Sequence, residues 1–82
     1  MIEITDVVTL DDNNEYVVAS IANYENNTYC FLVDLNDNSN LLFCRYDNGD
    51  LVESLDKDLN TKLLPLFYEN GKNIIDKIKN NE

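Results

Sequence analysis

Thr28-Tyr-Cys-Phe-Leu-Val-Asp-Leu35 and Leu41-Leu-Phe-Cys-Arg-Tyr46, separated by Asn36-Asp-Asn-Ser-Asn40, decide the fold of this chain. Aliphatic and aromatic runs of this length, bounded by Asn and Asp, read as a β-hairpin. Placing Cys30 opposite Cys44 sets Phe31 against Phe43, Leu32 against Leu42 and Val33 against Leu41. Residues opposed across a ladder share a face. One surface then carries Phe31, Val33, Leu41 and Phe43, and the other carries Cys30, Leu32, Leu42 and Cys44. Both are apolar, which suits a central hairpin better than a half-exposed edge.

Outward from the hairpin, further strands are separated by turns. Residues 3–10 alternate weakly, with Ile4, Val8 and Leu10 on one parity, and predict a first strand. Asp11-Asp-Asn-Asn14 turns the chain, because Asn and Asp bond their own backbone and tolerate left-handed φ. Residues 15–24 predict a long strand, with Val17, Ala19 and Ile21 on one face and Tyr16, Val18, Ala22 and Tyr24 on the other. Glu25-Asn-Asn27 leads into the hairpin. Asp47-Asn-Gly-Asp50 leaves it, since Asn-Gly supplies two residues content with positive φ. Residues 51–55 complete a meander of five antiparallel strands.

At Asp56 the period changes. Leu59, Leu63, Leu66 and Phe67, then Ile74, Ile75 and Ile78, recur at helical spacing. Asp56 or Asp58 serves as N-cap. Pro65 removes a ladder bond and disfavours the α conformation at Leu64, and Gly71 after Asn70 reads as a stop. The expectation is a helix over 57–69, bent or broken at Pro65, with a further turn or two over 72–79. The class is therefore α+β in a single domain, 1–82: an antiparallel sheet over 1–56 and a helical segment over 57–80 packed on one face. A sheet with two apolar faces needs two covers, and one helical segment supplies one. Either the sheet curls toward a barrel or a face is left for a partner.

Charge is the strongest global signal. The net charge is −10, and residues 1–56 hold twelve Asp or Glu against a single base, Arg45, for −11. Residues 57–82 hold four acids and five Lys, for +1. A negative field of this size makes free nucleic acid and anionic membranes poor partners, and basic protein surfaces or cations better ones. No stretch approaches the roughly 20 apolar residues a membrane helix needs. Met1-Ile-Glu-Ile-Thr-Asp6 lacks the features of a signal peptide. Cytoplasmic placement, with Cys30 and Cys44 as buried thiols, is the expectation.

The chain contains no His and no Trp, which removes a His-based triad and His metal ligands. No phosphate-cradling or nucleophile-elbow pattern occurs. Asp34-Leu-Asn-Asp-Asn-Ser-Asn40 matches the first three ligand positions of an EF-hand loop, but Ser39 replaces the glycine and Arg45 stands where the bidentate Glu belongs. It reads as an ordinary hairpin loop. No cofactor, no metal and no enzymatic activity are expected.

From about residue 7 to residue 66 the order of elements resembles the YrzB-like family, small acidic bacterial proteins of unassigned role. The resemblance is carried by Val8-Thr-Leu-Asp-Asp12, Ile21-Ala-Asn-Tyr24, Thr28-Tyr-Cys-Phe-Leu-Val33, the strand from Leu41 to Arg45, the acidic Gly turn and Leu55-Asp56. Asn13-Asn14 stands where members tend to have a Gly turn. The resemblance implies a bacterial cytoplasmic or phage-borne setting, no assigned reaction and no functional residues to carry over.

The functional expectation is a non-enzymatic module that binds a basic protein surface. Its sharpest form is a nucleic-acid mimic that blocks a DNA- or RNA-binding groove, as small acidic anti-restriction and anti-CRISPR inhibitors do, a likeness of size and charge alone. Asp11, Asp12, Glu15, Glu25, Asp34, Asp37, Asp47, Asp50 and Glu53 would carry it. The alternative is a housekeeping protein, or a homodimer formed through an uncovered apolar face around Leu32, Leu42 and Tyr46.

Overall fold

The computed structural model describes residues 2–37 and 39–80, with side chains through Gly71. Five strands follow one another, β1 (Val7–Thr9), β2 (Glu15–Tyr24), β3 (Asn27–Asp34), β4 (Leu41–Asp47) and β5 (Asp50–Glu53), before α1 (Lys57–Asn80). They form one sheet in the order β1-β2-β3-β4-β5, every neighbouring pair antiparallel. The sheet curls into a half-barrel, with α1 packed against it. The central hairpin has the expected register: Cys30 faces Cys44, Phe31 faces Phe43, Leu32 faces Leu42 and Val33 faces Leu41.

Turn chemistry sets the register of the two flanking hairpins. Asn48 and Gly49 sit at φ 51° and 92°, the pair of positive values a two-residue hairpin turn demands. Glu25 and Asn26 turn the β2–β3 corner at φ 49° and 68°. A long acidic side chain is a poor occupant of that region.

In β2 the expected alternation fails at one place. Pairing with β3 passes from Val18–Leu32 to Ser20–Phe31, leaving Ala19 as the extra residue of a β-bulge. Everything beyond it changes side. Ala22 and Tyr24 join Val17 and Ala19 beneath the helix, while Ile21 joins Tyr16 and Val18 on the other face. Simple period-two reading had placed Ile21, Ala22 and Tyr24 the opposite way round, because one inserted residue reverses parity.

The first face packs Ala19, Ala22, Tyr29, Phe31 and Val33 against Leu63 and Phe67 of α1, with Leu59 and Leu66 half-buried beside them. All three Phe of the chain meet there: Phe31 to Phe43 at 5.3 Å, and Phe67 to each of them at 5.7 Å between ring centroids. Such pairs add roughly 0.5–1.5 kcal/mol each beyond area burial. The opposite face buries Tyr16, Val18, Cys30, Leu32 and Cys44 inside the curl. Ile2, Val8 and Leu10 close it from the N-terminal side, and Leu42, Tyr46 and Leu51 from β4 and β5.

The N-terminal strand is shorter than residues 3–10. Thr5 sits at φ 79°, and Glu3 donates from its backbone N to Asp6 Oδ2 at 2.9 Å. This turn carries Ile2 into the inner cluster, which an extended chain would not do. The last strand also stops early, at Glu53, and Leu55 is 81% exposed.

Asp56 is the N-cap, accepting from the backbone N of Asp58 at 3.1 Å and of Leu59 at 3.2 Å. The helix then passes through Pro65 and departs from helical φ/ψ at Gly71 (φ −125°, ψ 24°). The helix is thus unbroken at Pro65, where a bend or break is expected, and its kink falls at Gly71, the expected stop. Thr61, whose carbonyl loses its ladder partner, is exposed, as is Pro65. On an exposed face solvent can satisfy an orphaned acceptor, so the proline costs less there than in a buried turn. Ile74, Ile75 and Ile78 have side chains outside the described residues.

Candidate binding groove and acidic surface

Curling brings the two ends of the sheet toward each other without joining them. Between β1 and β5 lies an open groove of about 810 Å³, lined by residues 8–12, Leu42 and residues 49–53. Its floor is half-buried apolar side chain from Val8, Leu10, Leu42 and Leu51, the rim of the inner cluster. Its edges carry Asp11, Asp12, Asp50 and Glu53, all exposed. No basic residue among those described lines it. The expectation treated curling and an open face as alternatives; the half-barrel does both, closing most of the inner face and leaving one slot.

Hydrogen bonds hold the β1–β2 turn that supplies one rim. Asp12 Oδ1 accepts from Asn14 N at 2.9 Å, and Oδ2 accepts from the Tyr16 hydroxyl at 3.0 Å. Donation from the Asn14 backbone, then from the Tyr16 and Asn14 side chains, holds the Asp12 carboxyl below its ordinary value. Tyr16, buried, is pushed above the ordinary phenol value by burial first and by Asp12 next. Asn40 Nδ2 donates to the Tyr16 hydroxyl at 3.4 Å and to Asp34 Oδ2 at 3.0 Å. This chain ties the β1–β2 turn to the β3–β4 loop.

The nine acids expected to carry binding do not form one surface. Asp11, Asp12, Asp50 and Glu53 all line the groove, Asp50 at the end that also holds Asp47. Glu15, Asp34 and Asp37 belong to the end of the meander that holds the β1–β2 turn and the β3–β4 loop, and Glu25 and Asp47 to the opposite end, since successive antiparallel turns alternate ends. Asp34 does not face solvent. It is 6% exposed, and its oxygens accept from Asn36 N and Asn40 Nδ2. Asp37 is exposed, and Ser39 holds its carboxyl below the ordinary value by side-chain and backbone donation. Asp47 makes the one ion pair among the described residues, Arg45 Nη2 to Asp47 Oδ2 at 3.8 Å, and faces Asp50 across the turn.

The apolar face around Leu32, Leu42 and Tyr46, expected as an uncovered surface, is turned inward: Leu32 is 0% exposed and the other two are half-buried. Cys30 and Cys44 are free and buried, and burial pushes their thiols up to about 11 and about 12. Thiols in that state are poor nucleophiles at neutral pH. Among the described residues no three His, Cys, Asp or Glu side chains are grouped to hold a metal ion, and no helix is long and apolar enough to cross a membrane.

Fold and site together define a small α+β half-barrel with an acid-rimmed slot between its sheet edges. No family model, curated protein or solved structure matches the chain. The likeness to YrzB-like proteins rests on the order of sequence elements alone.

Proposed function

We propose that this protein is a non-enzymatic acidic binding module that engages a basic protein surface, in its most concrete form as an inhibitor that occupies a nucleic-acid-binding groove in place of phosphates. One observation carries the reading. Of the twelve acids in residues 1–56, ten are exposed; Asp6 is half-buried and Asp34 buried. Arg45 is the only base among those residues and is paired with Asp47. A shell of one sign steers association with the opposite sign and rejects like-charged partners, nucleic acid included. The bacterial or phage-borne cytoplasmic setting implied by the YrzB-like resemblance fits such a role, as does a housekeeping contact protein of the same chemistry.

Affinity capture from a bacterial lysate at low salt tests it. Retained proteins should be basic, should elute as salt rises, and should be displaced competitively by a short DNA duplex. Partners that stay bound at high salt and ignore the duplex would sink the proposal.

A further inference from the structure

The groove has features that the acidic shell as a whole lacks. Its walls are the two terminal strands of the sheet, β1 and β5, each with a neighbour on one side only. An edge strand presents backbone N–H and C=O groups in strand register, a template for another chain. The floor between them is apolar, through Val8, Leu10, Leu42 and Leu51. The rims are acidic on both sides, Asp11 and Asp12 from the β1 side and Asp50 and Glu53 from β5. On the floor Val8 and Leu10 stand two residues apart, the spacing at which alternate side chains of an extended peptide fall on one face.

From this geometry we infer that the slot between β1 and β5 takes an extended segment of a partner protein as an added strand, its apolar side chains on the floor and its Lys or Arg side chains at the rims. The inference rests on the reading of the protein as a binder of basic partners, and it names where and how one is held. With three residues in β1 and four in β5, the segment in contact is about four or five residues, roughly 13–17 Å of strand. Main-chain hydrogen bonds supply affinity in such additions, and pockets for alternate side chains supply specificity. A second copy of the chain is a poor occupant. Its own edges bring acids against acids, and like-charge juxtaposition opposes that pairing.

A fluorescent peptide of alternating Lys and Val tests the inference, beside a peptide of the same composition in block order and an alternating one N-methylated at every second residue. N-methylation abolishes strand pairing and leaves the charge intact. The alternating peptide should bind, and the other two should bind at least about tenfold more weakly. Asp11→Lys/Asp50→Lys reverses the rims, while Asp58→Lys/Glu69→Lys makes the same change of net charge on exposed sites of α1, away from the groove. The rim variant should weaken binding by about tenfold or more, and the distant variant by no more than about threefold. In the unaltered protein the peptide should slow amide exchange in Val7–Thr9 and Asp50–Glu53, a readout that does not depend on the variants folding. Equal weakening by both double variants, equal binding of all three peptides, absence of binding, or unchanged exchange at those strands overturns the added strand. In the first two of these cases, binding that salt still weakens leaves the wider acidic reading standing; binding insensitive to salt and to both variants removes it as well.

Discussion

Gly71 meets the backbone of Ala19: a Cβ built on Gly71 would stand 2.4 Å from the Ala19 carbonyl oxygen and 2.7 Å from Ser20 Cβ. The bulge in β2 and the departure from helical geometry in α1 are thus one contact. Doubling Ala19 and Ser20 onto the helix side puts backbone where a side chain would otherwise project. Ser20, fully buried, donates its Oγ to the Phe67 carbonyl at 2.6 Å. That oxygen lies four residues before Gly71, where the backbone leaves the helix. Asn70 Nδ2 donates to the Ile21 carbonyl at 2.9 Å and fastens the same junction.

Gly71→Ala should therefore destabilise the fold. Backbone cannot yield as a flexible side chain can, so the loss should be at the upper part of the usual 1–3 kcal/mol range for overpacking. Ser20→Ala should cost about 1–3 kcal/mol by removing the buried hydrogen bond to the Phe67 carbonyl. Urea denaturation checks both; a midpoint for Gly71→Ala equal to that of the unaltered protein would show that the contact is not tight.

Phe67 is the helix's largest buried contribution and the ring that joins Phe31 and Phe43. Phe67→Ala should cost roughly 3–5 kcal/mol, against a total of about twice that for a small domain. Phe67→Leu keeps much of the side-chain volume and should cost less. Thermal melts followed by circular dichroism rank the two; the reverse order would contradict the packing described.

The β2–β3 turn invites the opposite change. Glu25 holds φ 49° and Asn26 φ 68°, the same geometry that Asn48 and Gly49 adopt at the β4–β5 turn. Replacing Glu25 and Asn26 by Asn and Gly should stabilise the protein by about 0.5–1 kcal/mol. A fall in melting temperature would mean that Glu25 makes a compensating contact.

Burial raises both thiols from 9.0, to about 11 at Cys30 and about 12 at Cys44, where Glu53 adds to the effect of burial. An acid whose folded pKa is raised holds its proton more tightly in the native state. The stability tied to these thiols is complete below pH 9 and lost as pH rises through 11 to 12. Tyr16, also raised, works in the same direction above 10.0. Urea midpoints taken across the alkaline range should fall, and Cys30→Ala/Cys44→Ala should flatten the descent while lowering stability at neutral pH. An identical slope in that variant would rule the thiols out. At neutral pH neither thiol should react with iodoacetamide until the protein unfolds.

Much of the architecture was legible in local chemistry. The hairpin register followed from matching the Cys, Phe and Leu of two runs around an Asn-rich loop, and the Asn-Gly turn declared itself because few residues accept positive φ. The β2 bulge was not legible, since nothing around Ala19 and Ser20 signals an extra residue until Gly71 is seen against them. Pro65 misled for the same reason: its cost depends on whether the abandoned Thr61 carbonyl meets water or protein. At the groove, Asp11, Asp12, Asp50 and Glu53 were recognised as acids of turns and strands, but Asp34 could not be told apart from them. The Asn40 and Asn36 partners that bury its carboxylate come from how the loop folds back.

By itself, then, the order of residues determined the strands, their turns, the α+β class and the sign of the surface, because period, φ preference and charge are local properties. Only the tertiary structure decided which acids share a place and where the sheet stays open. Curvature of a sheet is a sum over all its strands, and no short stretch of chain contains the distance between its first and last edges.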